Sequence, residues 1–138
     1  MSGHIFFKHR WYGFDDGLYA GARLLELASR EADPTALLNG LPNSASTPEL
    51  QLATAEGENF TLVERLQREG RFADAREIVT IDGVRAEYDD GFGLARASNT
   101  TPVVVLRFEA DTPAALARIQ AAFKAALASV WPGIELAY

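Results

Sequence analysis

Cysteine is absent from this sequence of 138 residues, and histidine occurs only at positions 4 and 9. Disulfides, thiolate zinc sites, cysteine nucleophiles and histidine-rich metal sites are therefore excluded. Basic residues are also in deficit, because 13 Lys and Arg stand against 19 Asp and Glu and leave a net charge of −6. Such a chain repels polyanions, so we expect no nucleic-acid partner.

Long apolar runs are missing as well. The longest aliphatic run, residues 103–106, is far shorter than the ~20 residues that span a bilayer, and the apolar run at 5–7 is too short for a signal-peptide core. We therefore expect no membrane partner and a cytoplasmic location. With 48% hydrophobic residues the chain can bury one core, and its length allows one domain and a fragment of a second.

The first 43 residues predict a strand and two helices. Residues 5–7, Ile-Phe-Phe, favour a buried strand, and a chain that begins inside a strand suggests truncation. Asp15 and Asp16 occupy N-cap and first-turn positions ahead of leucines at helical spacing, which predicts a helix to about Ser29. Asp33 and Pro34 predict the start of a short second helix. The breakers at residues 40–44 then mark a domain boundary.

From residue 44 the pattern predicts strand, helix, four antiparallel strands and helix. A short edge strand includes Leu50 and Leu52, and a capping box at Thr61 begins a helix that runs over residues 61–69. Asp82-Gly83 between two β-rich runs predicts a tight hairpin, residues 103–109 a central strand, and Thr112-Pro113 the start of the last helix. Two amphipathic helices on one face of an antiparallel sheet define an α+β fold.

The densest group of hydrogen-bond donors is the loop Arg96-Ala97-Ser98-Asn99-Thr100-Thr101-Pro102. It offers a guanidinium, three hydroxyls and an amide. A phosphate monoester, with a charge of roughly −1.5 to −2 and three acceptor oxygens, requires such donors. The same residue types also build ordinary hairpin loops, so composition alone leaves both interpretations open.

Other polar residues support weaker interpretations. The acidic pairs at 15–16 and 89–90 lie at a helix start and a turn, where carboxylates satisfy backbone donors, so we predict no metal site. His4 is either an acid–base group or a strand-end histidine, and its position alone favours the second.

Two motifs together resemble one enzyme family. The loop at 96–102, preceded by Ile81-Asp82-Gly83-Val84-Arg85 and Gly91-Phe92-Gly93-Leu94, resembles the C-terminal phosphate-binding domain of the bacterial phosphomannomutase/phosphoglucomutases, the α-D-phosphohexomutases. Met1-Ser2-Gly3-His4, followed by Phe14-Asp15-Asp16-Gly17, resembles the second half of that family's Gly-Glu-Met-Ser-Gly-His sugar-binding motif.

The resemblance implies a C-terminal piece of a four-domain enzyme that interconverts hexose 1-phosphate and 6-phosphate, of mannose or glucose. Residues 1–43 would be a remnant of its third, α/β domain, and residues 44–138 a TATA-binding-protein-like domain that holds the phosphate not being transferred. It also implies that Ser2, Gly3 and His4 contact the sugar, with His4 a candidate for proton transfer. The residues implied to bind the phosphate are Arg96, Ala97, Ser98, Asn99 and Thr100.

The sequence also departs from the family pattern. No Gly-Glu precedes Met1, and neither a Ser-His phosphoserine motif nor an Asp-Gly-Asp-Gly-Asp-Arg metal loop occurs. We therefore expect no cofactor in this chain, with Mg²⁺ and the phosphoserine in N-terminal domains missing from it, and no mutase activity from the chain alone.

The expected partners are a phosphorylated hexose, bound weakly, and the remaining mutase domains. The alternative is a stand-alone phosphosugar-binding or protein-interaction module without catalysis. We expect residues 1–43 either to be mobile or to dock on the sheet or on a second copy through Leu18, Leu24 and Leu25.

Overall fold

A computed structural model describes residues 3–41 and 43–134 of the chain. The chain divides into two compact units, Met1–Pro42 and Asn43–Tyr138. Among the described residues no helix is both long enough and apolar enough to traverse a bilayer.

The first unit contains two helices, α1 (Gly17–Ala28) and α2 (Pro34–Asn39). Helix α2 begins where the sequence predicts, whereas α1 begins one residue later, with Asp16 and not Asp15 as its N-cap. Asp16 caps α1 by accepting the Tyr19 N–H at 3.0 Å, and Asp33 caps α2 ahead of a first-turn proline. A side-chain oxygen at the N-cap satisfies a backbone donor that the helix leaves unpaired, which fixes each start.

Residues 5–7 do not form the predicted buried strand. Phe6 makes one isolated antiparallel bridge with Asp15, and its side chain is 63% exposed. A short apolar run becomes a buried strand only where a sheet accepts it, and this condition cannot be seen in three residues. Neither α1 nor α2 buries a residue.

The second unit is an antiparallel sheet with two helices, as predicted. The strands are ordered β1-β6-β5-β4-β3, and β2 also pairs with β6. Since β5 occupies one edge of β6, β1 and β2 share the other edge. The elements are β1 (Ala45–Ser46), β2 (Leu50–Ala53), α3 (Glu58–Glu69), β3 (Glu77–Val79), β4 (Val84–Tyr88), β5 (Gly91–Ala97), β6 (Val103–Ala110) and α4 (Pro113–Val130).

The core lies between one face of this sheet and the two helices. Alternate strand residues are buried, and α3 and α4 each contribute an apolar stripe. Gly93 is required for close packing, because a Cβ there would lie 2.3 Å from the Phe123 ring. The buried side chains that define this core include Leu62, Leu66, Val84, Ala86, Val104, Leu106, Phe108, Ile119, Phe123, Leu127 and Val130.

The predicted start of helix α3 needs correction, whereas that of α4 is confirmed. Helix α3 begins at Glu58 rather than at residue 61, after Gly57 in the left-handed region at φ 79°. The Glu58 carboxylate accepts the Ala55 N–H at 3.0 Å, so the helix entry is stabilised one turn before the predicted capping box at Thr61. The α4 start is confirmed, with the Thr112 side chain accepting a first-turn N–H.

The hairpin between β3 and β4 forms, but its turn is longer than predicted. β3 ends at Val79, and residues 80–83 make the connection. Gly83 has a φ of 85°, and a Cβ there would lie 2.3 Å from the Ala95 carbonyl oxygen. The turn therefore depends on glycine, as expected, although strand pairing stops before Ile81.

Candidate functional site

The polar loop joins β5 to β6 and is anchored at both ends. The Ser98 N–H donates to the Val103 carbonyl at 3.0 Å, and the Val103 N–H donates to the Thr101 carbonyl at 2.8 Å. Thr54, which follows β2, donates to the Pro102 carbonyl through its N–H and its hydroxyl, each at 2.9 Å. The loop is therefore held by its own strands and by the neighbouring strand.

Hydroxyl and amide donors converge within this loop. Ser98 Oγ lies 3.3 Å from Thr100 Oγ1 and 3.0 Å from Thr101 Oγ1. The backbone N–H groups of Thr100 and Thr101 both point at Ser98 Oγ, each at 3.3 Å. Successive backbone N–H groups in a turn make a concave anion site, so the loop presents the chemistry that phosphate oxygens require.

The structure brings the predicted phosphate-binding residues together. All five line one open cavity of about 470 Å³ between the loop and the first residues of β2 and β6. Glu49 and Gln51 also line this cavity. The Glu49 carboxylate opposes the binding of an anion. The residues shared with the prediction are Arg96, Ala97, Ser98, Asn99 and Thr100.

Arg96 makes an exposed ion pair at the rim of the cavity. Its Nη1 lies 3.4 Å from Asp82 Oδ2, and the two side chains are 49% and 73% exposed. A pair of this kind contributes about 0–1 kcal/mol, so the guanidinium can exchange Asp82 for a phosphate at little cost. The sequence motif predicts only a hairpin role for Asp82. The β4–β5 register, which pairs Val84 with Ala95, places it beside Arg96.

In the first unit, His4 is paired with Asp15, a carboxylate for which the sequence predicts only a helix-start role. His4 Nδ1 hydrogen-bonds to Asp15 Oδ2, and the Ile5 N–H donates to Asp15 Oδ1 at 3.2 Å. Asp15 therefore orients the imidazole instead of serving α1, whose cap is Asp16. Gly3 precedes His4 at φ 76°, and Ser2 lies outside the described residues.

The second acidic pair lies in the β4–β5 turn and is paired with arginines. Asp90 Oδ1 accepts from Arg118 Nη2 at 2.5 Å, and Asp89 lies 3.7 Å from Arg76. No group of three or more His, Asp or Glu side chains is placed to hold a metal ion in the part of the chain that the structure describes.

Tyr88 stands beside this turn with a buried hydroxyl that has no hydrogen-bond partner among the described residues. Burial raises the pKa of Tyr88, an effect that Arg118 opposes and Asp74 reinforces. The hydroxyl therefore remains neutral beyond the pH at which an ordinary tyrosine ionises.

Comparison with known proteins identifies the class of this chain. The family profile "Phosphoglucomutase/phosphomannomutase, C-terminal domain" matches residues 49–126. The chain belongs to this family, and the α+β fold and the resemblance seen in the sequence are confirmed.

Individual relatives agree with this assignment. A phosphoglucomutase of Neisseria meningitidis serogroup A is 63% identical over 113 residues, which cover 81% of this chain and 25% of that protein. A phosphomannomutase/phosphoglucomutase of Pseudomonas syringae pv. tomato is 52% identical over 139 residues, or 100% of this chain and 30% of that protein.

A solved structure extends the agreement to three dimensions. The crystal structure of a phosphoglucomutase/phosphomannomutase family protein from Burkholderia thailandensis matches with a TM-score of 0.90 at 64% identity, over 100% of this chain and 29% of that one. The chain thus spans between a quarter and three-tenths of the length of the proteins it resembles.

Proposed function

We propose that this chain supplies the phosphate-binding part of a phosphohexomutase that interconverts the 1-phosphate and 6-phosphate of mannose or glucose in the cytoplasm. The β5–β6 loop would hold the phosphate that is not being transferred. His4, oriented by Asp15, would exchange a proton with a sugar hydroxyl. Ser2 and Gly3 would contact the sugar.

One observation carries the proposal: the loop gathers three hydroxyls, two convergent N–H groups and a releasable guanidinium around one cavity. Each charge-assisted hydrogen bond to a phosphate contributes about 1.5–3 kcal/mol. The open cavity and the Glu49 carboxylate limit the total, and immobilising the ligand consumes part of it. We therefore expect binding in the millimolar range, about −4 kcal/mol.

An NMR titration of the whole chain with glucose 1-phosphate tests the site. We expect shift changes centred on the amides of residues 98–101, and Arg96→Ala should raise the dissociation constant about tenfold, the effect of losing about 1.4 kcal/mol.

Arg76→Ala is the matched control for this titration. It makes the same change in charge at an arginine that is 69% exposed, next to the end of β3 that lies away from the Asp82 turn. Binding should remain as in the wild type. An equal loss in both variants, or no loop response in the wild type, would contradict the proposal.

Catalysis is expected to need residues that lie outside this chain. The sequence contains neither a Ser-His phosphoserine motif nor an Asp-Gly-Asp-Gly-Asp-Arg metal loop, and the described residues do not fit a Mg²⁺ ion. We therefore assign no metal-dependent step to this chain and propose that the 138-residue polypeptide alone is inactive. Conversion of glucose 1-phosphate by the purified chain would overturn this.

We further propose that the remaining mutase domains are its protein partner, bound through α1. Leu18 is 90% exposed, Leu25 70% and Leu24 50%, and α1 buries no residue. A truncated relative, from which the segment that matches this chain has been removed, should regain isomerisation when this chain is added to it. Leu18→Ser should prevent this, whereas Ile81→Ser, at a residue 93% exposed on the β3–β4 turn, should not.

A further inference from the structure

A side chain outside the predicted motif supports the loop from inside the protein. Asn59, in the first turn of α3, is 2% exposed and is the buried polar residue among those that the structure describes. Its side-chain amide donates to the Ser98 carbonyl at 2.9 Å and lies 3.5 Å from the carbonyl oxygens of Thr101 and Val103. One amide group thus contacts three carbonyls at the base of the loop.

These contacts determine which backbone groups the loop can offer to an anion. A carbonyl oxygen carries a partial negative charge and repels phosphate, whereas N–H and O–H groups attract it. The carbonyls of Ser98, Thr101 and Val103 face Asn59, and Pro102's carbonyl is held by Thr54. With these acceptors occupied, the donors that the loop can offer to an anion are its hydroxyls and the N–H groups of Thr100 and Thr101, which in this structure point at Ser98 Oγ.

We propose that Asn59 is a positioning residue of the phosphate site: it sets phosphate affinity by holding the loop carbonyls inward, without contacting the ligand. This inference rests on the proposed function. The sequence alone did not indicate it, because 39 residues separate Asn59 from Ser98.

Asn59→Asp is the most direct perturbation. It keeps the size of the side chain, removes both amide donors and directs a carboxylate at three carbonyl oxygens. When protonated, the same carboxyl group regains one O–H donor, and burial favours that neutral form. Glu56 lines the small cavity between Asn59 and the loop and is the other carboxylate there. The effect of the substitution should therefore depend on pH.

The test is an NMR titration of the full chain with inorganic phosphate. The backbone amides of Thr100 and Thr101 serve as reporters. Each variant is compared with the wild type at the same pH, so that the change in protonation of the phosphate affects both proteins equally. At pH 7.5 Asn59→Asp should raise the dissociation constant about tenfold, which corresponds to about 1.4 kcal/mol. At pH 5 the ratio should fall to about threefold.

Two further variants separate positioning from general destabilisation. Val63→Ala removes a buried side chain one turn further along α3, at a residue that lines neither cavity beside the loop. It should lower stability and leave the phosphate affinity as in the wild type at both pH values. Asn59→Ser replaces the side-chain amide with a single hydroxyl donor and introduces no negative charge. It should weaken binding about threefold, and it decides the question if Asn59→Asp does not fold.

The possible outcomes are distinct. If the wild type binds phosphate and the Asn59 variants bind within twofold of it, the role of Asn59 is refuted and the phosphate site stands. A loss that is equal at both pH values and shared by Val63→Ala also refutes it. If the wild-type loop gives no response, the proposed function itself fails.

Discussion

The contact between Gly93 and Phe123 gives the sharpest prediction for the fold. A methyl group at Gly93 would place its carbon 2.3 Å from Phe123 Cε2, whereas carbon atoms in contact lie about 3.5–4.0 Å apart. The ring must therefore move by more than an ångström. It is fully buried, and its centroid lies 4.7 Å from that of Phe72 and 5.2 Å from that of Phe108, so no free space receives it.

Overpacking of this kind costs about 1–3 kcal/mol, and we expect Gly93→Ala to fall at the upper end. For a domain of about 90 residues, each kcal/mol shifts the melting temperature by about 4–8 °C. Gly93→Ala should therefore melt about 10–20 °C below the wild type. Differential scanning calorimetry, with urea unfolding to give free energies, measures both quantities.

A double-mutant cycle identifies the cause. Phe123→Leu removes Cε2 and Cζ, two of the three ring atoms that would collide with the added methyl group, so Gly93→Ala should cost at least about 1 kcal/mol less in that background. The reasoning is refuted if the two substitutions are additive within about 0.5 kcal/mol. A Gly93→Ala protein as stable as the wild type would refute it equally.

Three further predictions concern single sites. Tyr88→Phe should raise the unfolding free energy by about 1 kcal/mol because it removes a buried hydroxyl without a partner. Since the pKa of Tyr88 is raised above its ordinary 10.0, its neutral form favours folding fully below pH 10.0. That contribution disappears as the pH climbs through the raised value. Tyr88→Phe should lose less stability in this alkaline range, and parallel wild-type and variant curves would contradict the assignment. Thr112→Ala should cost about 1 kcal/mol through loss of the α4 cap, while Thr112→Ser retains it; equal stabilities of the two variants in urea would refute a capping role. Gly21→Ala, whose Cβ would meet no atom within 4 Å, should stabilise α1 by about 0.5–1 kcal/mol. Slower amide exchange in α1 checks this, and faster exchange would contradict it.

The elements that the sequence predicted well are those fixed by neighbouring residues. Helix α4 combines a Thr112 cap, a first-turn proline and an apolar stripe, all within residues 112–130. The caps of α1 and α2 are equally local. The predicted start of α3 was wrong because no side chain caps this helix. The helix begins after Gly57, whose backbone lies in the left-handed region.

The site was predictable only in part for the same reason. The loop at 96–102 is a continuous motif with recognisable chemistry. Its supports come from distant positions: Asn59 from α3, Thr54 from the end of β2, and Asp82 from the neighbouring turn. Likewise, Asp15 reaches His4 across 11 positions. Such contacts depend on strand register and helix packing, which local patterns do not determine.

The double coverage of one edge of β6 also affects how this unit is made. The pairings among β3, β4, β5 and β6 join neighbours in the chain, whereas β2 meets β6 through Ala53 and Val103, 50 positions later. Closing that long loop costs entropy and delays the pairing. During synthesis β2 emerges before β6, the strand with which it pairs. Until β2 pairs with it, the valine-rich edge of β6 is open to a strand from another newly made chain.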